Sequence, residues 1–324
     1  MNWRTEVKVE QLEPWSHTDK VMCMGSCFAE NIGNKLNYYL FDSHVNPFGI
    51  TFNPLSIASQ LNALLMNKQY SDSEIQQQDD RCFHFQFHGQ YSKSTIVETI
   101  AAINQSVSVG SQFFSNANKL VLTFGSAYYY EHKEFGLVNN CHKQAQIHFT
   151  KKRATVDEMI QALKQPIVQW LNAKKNREVV LTVSPVRHWK DGVVENNRSK
   201  ASLLLLTEAL IELDKRISYF PSYEIVLDEL RDYRFYASDL LHINQQGVDY
   251  VWTKFCAQRL FLQQDLMTTI KQIQEAASHK PFDVNSIAHQ KFVKNMLVNI
   301  EKLKFHNVSS LEKLTAHFKN QLIE

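Results

Sequence analysis

The fold is decided by the stretch KVMCMGSCFAENIGNKLNYYL, residues 20–40. It begins with an apolar run that ends at Gly25-Ser26, after which apolar residues recur at every fourth position from Phe28 to Leu40. The apolar run predicts a strand and the four-residue period predicts a helix. A strand, a tight turn and a helix in this order are typical of a parallel βα unit. The turn of such a unit lies at the carboxyl edge of the sheet, where open α/β folds bind ligands.

The alternation of strand and helix continues along the chain. Extended segments predict four more strands, at residues 44–46, 119–124, 178–183 and 223–227. Helical periodicity separates them, at residues 54–65, 95–114, 156–172, 200–218 and 244–262. Two segments are expected to depart from this pattern, 81–91 as a strand or hairpin and 131–148 as an irregular excursion over the surface. Five strands that alternate with helices imply a parallel sheet covered on both faces.

The last part of the chain has a different character. The sequence has only nine glycines, and none follows Gly247. Beyond about residue 263 the periodicity is helical alone, in the segments 266–276, 284–304 and 311–323. The sequence therefore predicts an α/β domain over residues 1–262 and an α-helical appendage over residues 263–324.

Composition excludes several classes of protein. The 35 basic and 33 acidic residues nearly balance, which argues against a dedicated nucleic-acid binder. No run of 18 apolar residues predicts a membrane span, and the N-terminus lacks the apolar stretch of a secretory signal. The five cysteines are scattered without a CxxC pair, a pattern typical of free thiols in a reducing compartment. We therefore expect a soluble cytoplasmic protein without a metal or cofactor, whose oligomeric state the sequence does not fix.

Ser26 is the first candidate for chemistry. It lies where the first strand becomes a helix, so its hydroxyl is expected at the sheet edge beside helix N-terminal amides that suit an oxyanion. A simple N-cap is the alternative interpretation, since serine is favoured there. Position alone favours the N-cap.

The late segment Asp239-Leu240-Leu241-His242 changes that balance. A carboxylate three residues before an imidazole can orient the ring in a turn, so that the other ring nitrogen accepts a proton from a hydroxyl. The alternative is an N-cap aspartate beside a surface histidine. Together with Ser26, the segment completes a set of serine, aspartate and histidine.

At this point the sequence resembles the GSCFA family, because residues 25–29 carry the five letters Gly-Ser-Cys-Phe-Ala that name it. The motifs that carry the resemblance lie at residues 24–31, 46–49, 140–143, 184–189, 228–236 and 239–242. The family is similar to the SGNH, or GDSL-type, hydrolases. The resemblance implies their flavodoxin-like three-layer α/β/α fold with a mostly parallel five-stranded sheet.

The resemblance also implies roles. Ser26 matches the nucleophile, Asp239 the orienting carboxylate and His242 the general base. The Ser26 amide and the Gly49 amide match oxyanion donors. A further asparagine donor is expected after the third strand, where this chain reads Gly125-Ser126-Ala127-Tyr128. Asn46 and Asn140 are the candidates to replace it.

The function implied is a serine esterase that removes O-acyl groups from a carbohydrate or another polar alcohol. Its partner would then be a small-molecule or glycan ester, rather than nucleic acid or a membrane. The alternative is a catalytically weakened module of the same fold that binds a glycan or a protein.

Two further interpretations stay open. Arg187 and His188 follow a strand end and can bind a substrate carboxylate or phosphate, or Arg187 can pair with the acidic residues Asp228-Glu229. Trp189 can line a sugar-binding cleft or pack in a lid. Cys27 can act as a thiolate at a helix N-terminus, although a buried structural role is the favoured interpretation.

Overall fold

The computed structural model describes residues 5–303 and 308–322. The strands are β1 (Lys20–Gly25), β2 (Asp42–Val45), β3 (Gln76–Gln78), β4 (Arg81–Phe83), β5 (Lys119–Phe124), β6 (Tyr128–His132), β7 (Gly136–Val138), β8 (Phe149–Arg153), β9 (Glu178–Val183) and β10 (Ile217–Tyr219). The helices are α1 (Cys27–Tyr38), α2 (Pro54–Met66), α3 (Ile96–Asn116), α4 (Val156–Ala173), α5 (Val193–Ile211), α6 (Ser222–Glu224), α7 (Gln245–Arg259), α8 (Gln264–Ser278), α9 (Ile287–Glu301) and α10 (Val308–Lys319). None of the helices in these described residues combines the length and apolar character needed to cross a membrane.

A five-stranded parallel sheet organises the first part of the chain. Its strands stand in the order β10-β9-β5-β1-β2, and every neighbouring pair is parallel. Counted along the chain, this is the 2-1-3-4-5 order of flavodoxin-like folds. The topological switch point lies between β1 and β5, because the chain leaves β1 toward β2 and returns on its other side at β5. Ligands of such sheets bind outside the carboxyl ends of the strands at this point.

Side chains of the sheet alternate between two cores, which makes the fold three-layered. On β1, Met22 and Met24 face a core that includes residues of α2, α3, α4 and α5, whereas Val21 and Cys23 face a core shared with α1 and α7. This two-residue period follows from the pleat of a strand. The predicted α/β/α architecture is thereby confirmed, with helices on both faces of the sheet.

The fifth strand lies elsewhere than the sequence predicts. Residues 223–227 belong to α6 and to the π-helical turn Ile225–Glu229, and the edge strand is β10 instead. Ile225 and Val226 are fully buried, and a short buried apolar run has the same appearance in a helical turn as in a strand. The helix predicted at 200–218 also has different bounds, because it begins at Val193 and ends at Ile211.

The excursion predicted at 131–148 is more regular than expected. It forms, with its flanking residues, the three-stranded antiparallel sheet β7-β6-β8. Val138 and Phe149 pack there against Phe83 and Phe85. Phe83 belongs to the short hairpin β3-β4, and Phe85 follows it. The small sheet therefore has an apolar cluster of its own.

The three C-terminal helices pack mainly on one another. Their shared core includes Ile270, Val293 and Phe318, and Leu40 at the end of α1 reaches into it. The predicted helices at 266–276, 284–304 and 311–323 correspond to α8, α9 and α10, although residues 304 and 323 lie outside the described residues. Residues 1 and 324, at the outer ends of the predicted domains, also lie outside them.

Candidate active site

The turn between β1 and α1 holds Ser26 in a buried position. Gly25 has a φ of +131°, and a Cβ there would overlap the backbone carbonyl of Thr123, so this position requires glycine. The Ser26 amide donates to Thr123 O at 3.2 Å, and Ser26 Oγ accepts from the Phe28 amide at 3.3 Å. The N-cap interpretation of Ser26 is confirmed in this conformation. Its position, just beyond the carboxyl end of β1, is the one that the sequence predicts.

Asn46 braces that turn from the end of β2. Its Oδ1 accepts from the Gly25 amide at 2.8 Å, and its own amide donates to Cys23 O at 3.0 Å. The first bond fixes which end of the side-chain amide is oxygen, because only a carbonyl accepts from an N–H. The Nδ2 group is buried and has no hydrogen-bond acceptor among the residues the structure describes. An unpaired buried donor is costly and asks for a functional explanation.

The other expected oxyanion donors are occupied or remote. The Gly49 amide closes its turn by donating to Asn46 O at 2.8 Å, just as the Ser26 amide donates to Thr123 O. Neither amide is free in this conformation. Asn140 lies in the wall of a separate cavity with His88 and His142, and its Oδ1 accepts from the His142 amide at 2.8 Å. Of the four groups that the sequence proposes, the Asn46 side chain is the one that combines a position beside Ser26 with a buried donor that has no acceptor among the described residues.

Asp239 and His242 form a close pair. His242 Nδ1 lies 2.6 Å from Asp239 Oδ2, while Asp239 Oδ1 accepts from the Leu241 amide at 2.9 Å and the His242 amide at 3.0 Å. The hydrogen bond from His242 and these two amide bonds lower the pKa of Asp239 to about 2. The carboxylate therefore stays ionised at neutral pH, and the tautomer with hydrogen on Nδ1 leaves Nε2 as an acceptor. Both side chains are about half exposed.

The Asp239–His242 pair lies at the carboxyl edge of the sheet, as Ser26 does, but the pair is not hydrogen-bonded to Ser26 within the described structure. The loop that contains Asp239 shares a cavity with Arg187 and Trp189, which follow the carboxyl end of β9. Among the described residues, no hydrogen bond joins Ser26 Oγ to His242. The bond from the Phe28 amide uses Ser26 Oγ only as an acceptor, so the hydroxyl hydrogen is still available for donation to His242.

His188 is not among the residues that line this cavity, although its neighbours Arg187 and Trp189 are. Its amide donates to Asn196 Oδ1 at 2.9 Å, and its ring packs edge-on against Phe52. Burial is the main cause that lowers the pKa of His188 to about 4, and the positive charge of Lys200 acts in the same direction. The ring is therefore neutral at physiological pH.

The cavity that Arg187 and Trp189 line has a volume of about 550 Å³. Of the two interpretations of Arg187, the salt bridge to Asp228-Glu229 does not form with Glu229, because Glu229 instead pairs with Lys254 at 3.3 Å and accepts from the Val7 amide. No ion pair of Arg187 occurs within the described ranges 5–303 and 308–322. The salt-bridge interpretation is therefore wrong for Glu229, and the guanidinium faces a cavity of ligand size.

Lys200 is a residue of this edge that the sequence reasoning missed. It is 1% exposed, and its Nζ donates to Gly125 O at 2.6 Å and to Ser184 O at 2.7 Å, at the ends of β5 and β9. Burial lowers the pKa of Lys200 to about 7, whereas the Cys27 thiol close by acts to raise it. The sequence contains one signal that Lys200 is buried: it lies three residues before Leu203, on the buried face of α5.

Cys27 is ill suited to be the nucleophile. Burial raises the pKa of its thiol, and the charge of Glu30 raises it further. The unreactive thiol form therefore prevails at neutral pH. No group of three histidine, cysteine or acidic side chains in the described part of the chain is arranged to hold a metal ion.

Comparison with known families agrees with these observations. The model of the GSCFA family matches residues 20–255, from the start of β1 into α7. The model described as the GSCFA domain protein, C-terminal domain, matches residues 270–324. No curated protein matches the chain. Since the first match alone covers well over half of its length and the second covers its last helices, this chain belongs to the GSCFA family.

Proposed function

We propose that the protein is a serine hydrolase of the SGNH type, in which Ser26 is the nucleophile, His242 the general base and Asp239 the residue that orients it. The observation that carries this proposal is the 2.6 Å contact between His242 Nδ1 and Asp239 Oδ2. It leaves Nε2 as a proton acceptor on a loop at the edge of the sheet that Ser26 also occupies. A hydroxyl, an imidazole and a carboxylate in these roles perform acyl transfer on several unrelated folds.

The reaction would proceed by two acyl transfers. His242 Nε2 takes the proton of Ser26 Oγ as this oxygen attacks the ester carbonyl, and the same proton then passes to the departing alcohol. Water, activated by His242, hydrolyses the acyl-enzyme and releases the acid. The first step requires the Ser26 hydroxyl to donate to His242 Nε2, and the bond that Oγ accepts from the Phe28 amide leaves the hydroxyl hydrogen available for this. Asn46 Nδ2 is the donor we assign to the oxyanion, because it is buried beside Gly25 without an acceptor in the described structure.

The substrate we propose is an ester of a carbohydrate or another polar alcohol. Trp189, Tyr233 and Tyr236 in the cavity beside Asp239 offer the aromatic faces that suit a sugar ring. Because all five cysteines are free, we place the reaction in the cytoplasm.

One observation favours a second candidate, a catalytically weakened module that binds a glycan or protein. The Ser26 hydroxyl and the Ser26 and Gly49 amides are all engaged in local hydrogen bonds. A site that no longer catalyses a reaction would keep these groups in their local hydrogen bonds.

Covalent labelling with a fluorophosphonate distinguishes the two candidates. We expect the native protein and the Cys27→Ala variant to be labelled, and the Ser26→Ala variant to remain unlabelled. Ser126→Ala is the matched control, because Ser126 is also buried in a turn directly after a sheet strand, β5. It should label like the native protein. A folded native protein without any labelling would overturn the hydrolase and favour the binding module.

A further inference from the structure

Two arginines in the cavity beside Asp239 have no hydrogen-bond or ion-pair partner in the part of the chain that the structure describes. The cavity is lined by Arg187 and Arg231, together with carboxylates of Asp232 and Asp239. Neither guanidinium donates a hydrogen bond or forms an ion pair with any residue in the described ranges. Arginine binds carboxylates and phosphates through its planar fork of donors, so two free forks that face one cavity constitute an anion site.

The charges of the cavity support this reading. Asp232 is paired with Arg234 at 2.9 Å, and Asp239 is paired with His242 at 2.6 Å. Arg234 therefore balances Asp232, whereas Asp239 keeps its negative charge because the proposed general base His242 is neutral. Arg187, Arg231 and Arg234 together exceed the two carboxylates by one positive charge, which attracts an anion.

The apolar part of the lining indicates what else the ligand carries. Trp189 is exposed, and Tyr233 and Tyr236 lie with ring centroids 5.9 Å apart. Exposed aromatic faces next to charged donors suit a ring that is polar at its edges and apolar on its faces. The volume of about 550 Å³ accommodates a molecule larger than a bare ion.

We infer that this cavity binds a carbohydrate-like ligand with an oxyanion group, which Arg187 and Arg231 hold. The inference rests on the proposed function, since it makes this ligand the alcohol or acid part of the ester that Ser26 cleaves. The oxyanion is a carboxylate or a phosphate, two groups with the same fork-shaped acceptor geometry. Arg187 and Arg231 are then specificity-determining residues.

Titration calorimetry with three sugars tests the inference. We expect glucuronate or glucose 6-phosphate to bind the native protein at least about 10-fold more tightly than neutral glucose, because a charge-assisted hydrogen bond exceeds a neutral one. The stronger of the two anions identifies the oxyanion as carboxylate or phosphate. Arg187→Gln and Arg231→Gln should each weaken anion binding by about 10-fold or more.

The matched control is Arg198→Gln, which removes an exposed arginine that is paired with Glu195 outside this cavity. It should bind the anions like the native protein. Equal binding of glucose, no binding of any sugar, or an equal loss in the Arg198→Gln variant would each overturn the inference.

The two proposals fail separately. Fluorophosphonate labelling of Ser26 does not depend on an anionic sugar, so labelling without anion preference overturns only the ligand assignment. Anion binding without labelling overturns the hydrolase and leaves the cavity as the site of a binding module.

Discussion

The buried ammonium of Lys200 gives a prediction that can be worked through in numbers. Lys200 is 1% exposed and donates to two backbone carbonyls, and no carboxylate pairs with it in the described structure. Burial lowers its pKa to about 7, whereas a lysine in the unfolded chain keeps a pKa near 10.4. The unfolded state therefore holds more protons than the folded state between these two values. Stability rises with pH wherever this is so.

The magnitude follows from the same linkage. One pKa unit corresponds to about 1.4 kcal/mol, and Lys200 is half deprotonated in the folded state near pH 7. Between pH 7 and pH 9 its contribution to the free energy of unfolding should increase by about 2 kcal/mol. His188 lies outside this window, because burial lowers its pKa to about 4. Burial raises the pKa of Cys27, so its thiol ionises first in the unfolded state and opposes the rise, but this contribution is shared by the native protein and a Lys200 variant and is removed by taking their difference.

Urea unfolding of the native protein and the Lys200→Met variant at the two pH values measures this contribution. The difference in unfolding free energy, native minus variant, should rise by about 2 kcal/mol from pH 7 to pH 9. Lys119→Met is the matched control, since Lys119 is similarly buried but paired with Glu178 at 3.0 Å. The native-minus-Lys119→Met difference in unfolding free energy should be the same at pH 7 and pH 9. A native-minus-Lys200→Met difference that is flat or falls with pH would refute the reasoning.

Three further substitutions test the turn and the proposed catalytic groups. Gly25→Ala should lower the free energy of unfolding by at least about 2 kcal/mol, because its Cβ would overlap Thr123 O at a positive φ; an unchanged urea midpoint would contradict this. Asn46→Asp keeps the acceptor for the Gly25 amide but removes Nδ2, so fluorophosphonate labelling of the folded variant should slow by about 10²–10³-fold; a native rate would exclude Asn46 as oxyanion donor. Asp239→Asn should slow labelling by about 10³–10⁴-fold, since an amide does not fix the reactive tautomer of His242, and a loss below 10-fold would count against the triad.

The layered fold could be predicted because its signals are local. The strands β1, β5 and β9 follow continuous apolar runs that end at glycine or proline, and these were recognised within about one residue. The edge strand β10 was missed because it is three residues long and gives no periodicity. The buried turn Ile225–Glu229 contains a more apolar run, and the fifth strand was therefore predicted there instead.

The candidate site was predictable only in part. The Asp239–His242 contact was predicted because both residues belong to one turn, so their geometry is set by three residues of chain. The unpaired state of Arg187 was not, since it depends on where Glu229 finds its partner, Lys254, in a distant part of the sequence.

The sequence by itself determined the alternation of the strands β1, β5 and β9 with helices, the position of Ser26 at the end of β1 and the pairing of Asp239 with His242, because each depends on backbone periodicity or on a few adjacent residues. The tertiary structure alone decided which polar groups are left without partners. Asn46 Nδ2 and the two cavity guanidiniums have no acceptor within the described residues, and Lys200 has carbonyls but no carboxylate. Whether a polar group is satisfied depends on every segment that packs around it, and no local pattern contains that information.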